Sequence, residues 1–130
     1  MEKETSRPEA AFVLMLMQAT FWVGAGLSAF PFALAGEIYM IALGLASLVL
    51  AAFAGTLAVG LVRRRPRARR RALVLEVACL AGSLILLAVP IGANRGPVSL
   101  LVNVGVPMVL IVLLRGKRMR TIFAAAGAPR

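Results

Sequence analysis

The side chains that could do chemistry in this 130-residue chain are few, and most of them lie within apolar segments. The sequence has no histidine, no aspartate and a single cysteine, Cys79. Imidazole haem ligation, a structural zinc site, an intrachain disulfide and a histidine-based triad are therefore excluded. All five acids are glutamates, and only Glu76 lies in or beside an apolar run with basic residues next to it. We predict that the protein is not an enzyme and has no catalytic, cofactor-binding or metal-binding residues.

A small set of embedded polar residues remains as a candidate polar site. Glu76, Cys79 and Ser83 are spaced by three and four residues, so a helix would place them in one strip. Pro107 cannot donate a backbone hydrogen bond to the carbonyl of Asn103, so a helix there has a free carbonyl beside an amide side chain. The candidate polar site comprises Gln18, Glu76, Ser83, Asn103 and Pro107.

Each of these residues also has an ordinary structural explanation. Glu76 lies ~7 Å along a helix past the arginines at 69–71, so its side chain can pair with one of them or reach the membrane interface. Kinks beside polar residues are commonly packing devices whose polar groups bond to another helix. Gln18 is expected in the inner half of the membrane and Asn103 in the outer half. Trp22 falls near the middle of an apolar run instead of at an interface, and either the bundle or a partner chain could contact it.

Long uncharged runs must position these side chains. The chain is 61% hydrophobic, above the roughly 45–50% of soluble domains, yet its net charge is +10, so apolar and basic residues occupy separate segments. Each run is close to or above the ~20 residues that cross a bilayer as a helix. We predict one domain, an all-α membrane protein with four transmembrane helices in two antiparallel hairpins, at residues 11–31, 38–62, 72–92 and 98–114.

The basic residues set the predicted orientation. They crowd a loop at residues 63–71 and a tail at residues 115–130, whereas only Arg95 lies in a turn on the other side. By the positive-inside rule both termini are cytoplasmic, in a multi-pass protein of the bacterial inner (cell) membrane. Ala33 and Ala35 form a small-x-small pattern before Gly36, but the preceding apolar stretch is longer than a signal-peptide core, so we expect no cleavage there.

The basic loop and tail are predicted to contact anionic lipids at the inner leaflet. Nucleic acid is not expected as a partner, because the loop is tethered to spans at both ends and has no aromatic residue for base stacking. Residues 119–126 would form either a short amphipathic helix on that leaflet or a frayed tail. The predicted lipid contacts are Arg63, Arg64, Arg65, Arg67, Arg69, Arg70, Arg71, Arg115, Lys117, Arg118 and Arg120.

Small residues repeat along the second predicted span at steps of three and four. In lipid, small side chains let helix backbones approach closely, so this stripe predicts a helix interface. We favour packing within the bundle over contact with another chain, because four spans need a common contact surface first. The stripe comprises Gly44, Ser47, Ala51, Ala54, Gly55 and Ala58.

The segments at 60–62 and 71–77, the arginine-rich turn between them, and residues 112–123 resemble a diffuse group of small four-span integral membrane proteins of high-GC bacteria. The similarity lies in hydropathy and implies no activity. We expect an accessory or assembly subunit of a larger membrane complex, or a homo-oligomer, with lipids and other membrane-protein chains as partners. The alternative is a small transporter or channel with a polar path past Gln18, Asn103 and Glu76.

Overall fold

The computed structural model describes residues 2–88 and 97–128, and every regular element in them is helical, as predicted. Glycine lies in the break between α2 and α3 and in the break between α6 and α7. A proline follows closely after the breaks that end α1 and α3. In chain order they are α1 (Glu2–Ser28), α2 (Phe30–Leu34), α3 (Ile38–Val62), α4 (Pro66–Ala88), α5 (Pro97–Leu100), a π-helical segment (Leu101–Gly105), α6 (Val106–Arg115) and α7 (Lys117–Ala126).

Three helical segments of the described chain are long and apolar enough to cross a membrane. They are Arg7–Leu34, Ile38–Val62 and Pro97–Arg115. The remaining predicted span, residues 72–92, begins within α4 and continues into residues 89–92, outside the described residues. A protein with several apolar helices of membrane-spanning length is therefore established.

The basic loop that we predicted at residues 63–71 is mostly helix in the structure. Only Arg63–Arg65 form the turn, and α4 already begins at Pro66. Proline suits the first helical position because its missing N–H needs no partner there, and arginine is a good helix former. The cluster of charged residues therefore predicted a longer loop than the structure has. The side chains of residues 67–71 project from a helix.

Two tight turns of the same type end α2 and α3. After α2, Gly36 has a φ of 96°, its N–H donates to Ala33 O, and Glu37 N–H donates to Phe32 O. After α3, Arg64 takes the equivalent left-handed position with a φ of 50°. This pattern of paired hydrogen bonds caps the last carbonyls of a helix, and glycine usually fills the left-handed position.

The long helices form a ring in which each packs against its neighbours in the sequence α1, α3, α4, α6 and back to α1. Their inward faces supply one buried cluster that includes Met15, Ala58, Ala72 and Leu110. Helix α7 folds back against α4 and α6, where it buries Met119 and Phe123. The result is a four-helix bundle with a short helix across one end.

The backbones of α1 and α3 approach each other closely. A Cβ built on Gly26 would lie 2.8 Å from Leu48 Cγ and 3.0 Å from Gly44 O. In the predicted stripe of small residues, Gly44, Ala51, Ala54 and Ala58 are buried and Ser47 is partly buried. Gly55 differs, because no packing neighbour lies within 4 Å of the position that its Cβ would take. Most of the stripe therefore serves the bundle, and Gly55 does not.

Candidate functional site

Glu76 is bound to Gln18 in the interior of the bundle. The Gln18 Nε2 group donates a hydrogen bond of 3.3 Å to Glu76 Oε2, and both side chains are 0% exposed. The contact joins α1 to α4, which lie on opposite sides of the ring. Neither of the explanations predicted for Glu76, an ion pair with the arginines at 69–71 or a side chain reaching the interface, is what the structure has.

Two oxygen atoms of this pair are left without a partner. Among the described residues, neither Gln18 Oε1 nor Glu76 Oε1 accepts a hydrogen bond, although both atoms are buried. Buried polar atoms are nearly always hydrogen-bonded, because an unpaired one forfeits its interaction with water. The Gln18–Glu76 pair is thus the one polar contact of the candidate site that is chemically incomplete in the described chain.

A second polar group lies further along α1. The indole Nε1 of Trp22 donates to Asn103 Oδ1 at 3.2 Å, and Asn103 Nδ2 donates to Ser99 Oγ at 3.1 Å. Trp22 is 6% exposed, so this tryptophan contacts the bundle itself. Of the two contacts that its sequence position left open, the bundle is the one that the structure shows.

Asn103 owes its position to an irregular stretch of helix. It lies in the π-helical segment, which ends with a hydrogen bond from Val106 N–H to Leu101 O, and the buried Pro107 follows directly. A π-helical turn and a proline both interrupt the regular ladder and change the direction in which side chains project. The predicted break in the ladder is present, and Asn103 is hydrogen-bonded on both its oxygen and its nitrogen.

Three of the candidate polar residues, Gln18, Glu76 and Asn103, therefore belong to two groups that α1 brings close together. Gln18 and Trp22 are four residues apart on one helix, a rise of ~6 Å, so the two groups are neighbours and not far apart in depth. Ser83 lies two turns past Glu76 on α4, is partly buried and belongs to neither group. Cys79 is a free, partly buried thiol one turn past Glu76.

Two arginine side chains lie at the C-terminus of α6, at the end of the bundle where the basic residues gather. We call this the basic end. Arg69 Nη1 donates to Leu114 O at 2.9 Å, near the C-terminus of α6, and Arg7 Nη1 lies 3.5 Å from a Cβ built on Gly116. Cations are favourable at this end of a helix, where carbonyl groups lack partners and the helix dipole is negative. Arg69, predicted as a lipid contact, is thus partly buried and used within the chain.

All the other predicted lipid-contact residues are exposed. The turn after α3, the start of α4 and helix α7 lie at the same end of the bundle, since a Cβ on Gly127 would be 3.4 Å from Pro66 Cβ. Helix α7 does form, but its buried Met119 and Phe123 contact protein and not an inner leaflet. Its exposed basic residues add to one continuous positive end.

No further chemical site emerges from the described residues. A cavity of about 240 Å³ between α1, α2 and α3 has apolar lining residues only, among them Phe30, Met40 and Leu48. Within residues 2–88 and 97–128, no three Cys, Asp, Glu or His side chains come together as metal ligands would. Comparison of the chain with family models, curated proteins and solved structures finds no match.

Proposed function

We propose that the chain is a non-enzymatic, multi-pass membrane protein whose four-helix bundle works as an accessory or assembly subunit of a larger membrane complex or as a homo-oligomer. In this proposal α4 supplies the fourth span, and both termini and the basic end face the cytoplasm of a bacterial cell. The exposed basic residues then lie against the anionic inner leaflet, where each contributes about 1 kcal/mol of attraction. The excess of basic residues at one end supports this orientation.

The observation that carries the proposal is a partly exposed patch of small residues on α3. Gly55 has no packing neighbour within 4 Å of its Cβ position, and Ala52 and Thr56 beside it are exposed. We call Ala52, Gly55 and Thr56 the outer patch. Glycine inside a helix costs about 0.5–1 kcal/mol relative to alanine. Gly55 gains no packing energy within the chain to offset this cost, because no neighbour lies at its Cβ position. A second helix seated on the outer patch would use the close approach that small residues allow.

The transporter alternative has less support from the described geometry. Its predicted path runs past Gln18, Asn103 and Glu76, but Asn103 is hydrogen-bonded to both Trp22 and Ser99. The buried indole of Trp22 lies beside this level of the bundle and occupies interior space. A path would require these contacts to open, whereas assembly requires only the surface as it stands.

Assembly can be tested by native mass spectrometry of the chain extracted from its own membrane in a mild detergent. We expect particles heavier than the 13.7 kDa monomer, either multiples of that mass or complexes with other chains. Gly55→Leu fills the outer patch from a Cβ position that has no bundle atom within 4 Å, so the assembled fraction should fall while the monomer stays folded.

Ala46→Leu is the matched control for this experiment. Ala46 is exposed on the same helix but lies on the other flank of its exposed face, away from the outer patch. The control should assemble like the wild type. A wild-type chain that is purely monomeric, or equal assembly of the Gly55→Leu and wild-type chains, would contradict the proposal.

A further inference from the structure

The pairing of Glu76 with Gln18 leaves one acceptor unused on each side chain. Gln18 Nε2 donates to Glu76 Oε2, while both Oε1 atoms lack a donor among the described residues. A carboxylate has only acceptor atoms, and an amide has one acceptor and one donor group. An ionised Glu76 therefore cannot complete this pair, whatever small rotations the two side chains make.

One added proton changes which atoms of the pair can donate a hydrogen bond. A proton on Glu76 Oε1 turns that oxygen into a donor, and Gln18 Oε1 is an acceptor without a donor. The acid and the amide can then form two parallel hydrogen bonds, N–H to O and O–H to O, which uses both unpaired oxygens at once. The same proton removes the negative charge from a buried position.

Within the described residues, the surroundings of Glu76 offer no positive charge in place of that proton. Arg69, on the same helix, donates to Leu114 O, and Arg7 of α1 lies near Gly116 at the end of α6. The titratable neighbour on α4 is the partly buried Cys79. Within the described residues, α3 and α6 present buried apolar side chains such as Ala54 and Leu110 to the core.

We propose that Glu76 and Gln18 form a proton-binding site inside the bundle, occupied in this conformation by one proton shared between acid and amide. Release of the proton leaves a buried carboxylate with a single neutral donor. The bundle must then admit water or a cation at this level, or move α1 away from α4. Proton binding is in this way coupled to the contact between two opposite helices, and the inference does not depend on the proposal of assembly.

Infrared spectroscopy of the full chain in lipid bilayers at neutral pH tests the site. All the acidic side chains are glutamates, so ¹³C-labelling of the glutamate side-chain carboxyl shifts the signal of every side-chain carboxyl and identifies it. Glu9 and Glu37 are exposed, whereas Glu76 is buried in the bundle. We expect the carbonyl stretch of one protonated carboxyl per chain, lost in Glu76→Gln and kept in the control Glu37→Gln.

Glu76→Gln is expected to fold, because two amides can also form two parallel hydrogen bonds. A wild-type spectrum without a protonated carboxyl at neutral pH would overturn the inference and needs no variant. A protonated signal that survives in folded Glu76→Gln would overturn it as well.

A second measurement follows the melting temperature as the pH is changed. The melting temperature of the wild type should fall as pH rises, since folding retains a proton that the unfolded chain releases. Glu76→Gln should remove that part of the slope.

Discussion

Single polar residues in this protein are held by specific partners across helix boundaries. Trp22 is the clearest case, because aromatic residues in membrane proteins are usually found at the interfaces, and this one is 6% exposed inside the bundle. The Trp22 N–H donor and the Asn103 oxygen satisfy each other, since either group alone would be a buried polar group without a partner. The π-helical segment is what brings Asn103 to this contact.

Replacing the indole tests the importance of this hydrogen bond. Trp22→Phe keeps an aromatic ring but removes the N–H donor, so Asn103 Oδ1 loses its partner. We expect a loss of about 1 kcal/mol in the free energy of unfolding, measured by denaturation in detergent. In the double variant with Asn103→Leu the two effects should be less than additive.

Tyr39→Phe provides the control, because Tyr39 is 86% exposed and removal of its hydroxyl group should leave the stability unchanged. Equal stability of Trp22→Phe and the wild type would show that the hydrogen bond contributes nothing measurable.

The sequence identifies the polar residues but not their partners. Gln18, Glu76 and Asn103 are conspicuous because each lies in an apolar run, and spacing alone puts them on helices. Which of them meet depends on how α1 is rotated against α4 and α6, and hydropathy carries no information on that rotation. For the same reason the arginines at 69–71 are plausible partners of Glu76 in sequence, although Arg69 bonds to the end of α6.

At the level of helices, the pair α1 and α3 depends on the absence of side chains at the contact. Gly26 and Gly44 bring the two backbones together, with 3.2 Å between Gly26 O and a Cβ built on Gly44. Without a hydrophobic drive in lipid, close packing of this kind supplies much of the attraction between helices. The contact lies well away from the basic end, beside the apolar cavity.

Two glycines on α1 offer a matched pair of substitutions. Gly26→Ala puts a methyl group 2.8 Å from Leu48 Cγ, so α1 and α3 must separate, and we expect a loss of about 1–3 kcal/mol in unfolding free energy. Gly24→Ala meets nothing within 4 Å and should be neutral or stabilising by about 0.5–1 kcal/mol. Denaturation of the two variants side by side checks the difference, and a Gly26→Ala chain as stable as Gly24→Ala would refute this packing.

Helix boundaries show where sequence reasoning succeeds and where it fails. The uncharged run before Arg63 matches α3 well, whereas α1 begins at Glu2, among the charged N-terminal residues and before the span predicted from residue 11. The start of α4 at Pro66 and the folding of α7 onto the bundle are less predictable. Both involve charged residues that are compatible with helix and with loop, and the choice is made by tertiary contacts such as the burial of Phe123.

The whole molecule is polarised along the axis of its bundle. Exposed apolar residues cover the sides, as in Val13, Val74 and Val112, while the exposed arginines and lysine of the turn, of α4 and of α7 gather at one end. The net charge of +10 beside a 61% hydrophobic composition follows from this arrangement. The proposed four spans and cytoplasmic basic end make a prediction about the side of the membrane on which each end lies.

Single-cysteine labelling of intact cells tests that topology most directly. In a Cys79→Ala background, Arg67→Cys places a thiol at the exposed start of α4, and Asn94→Cys places one in the predicted outer turn. A membrane-impermeant maleimide should label residue 94 in intact cells and residue 67 only after the membrane is permeabilised. Labelling of residue 67 from outside, or equal labelling of both residues before permeabilisation, would contradict the orientation and the four-span arrangement.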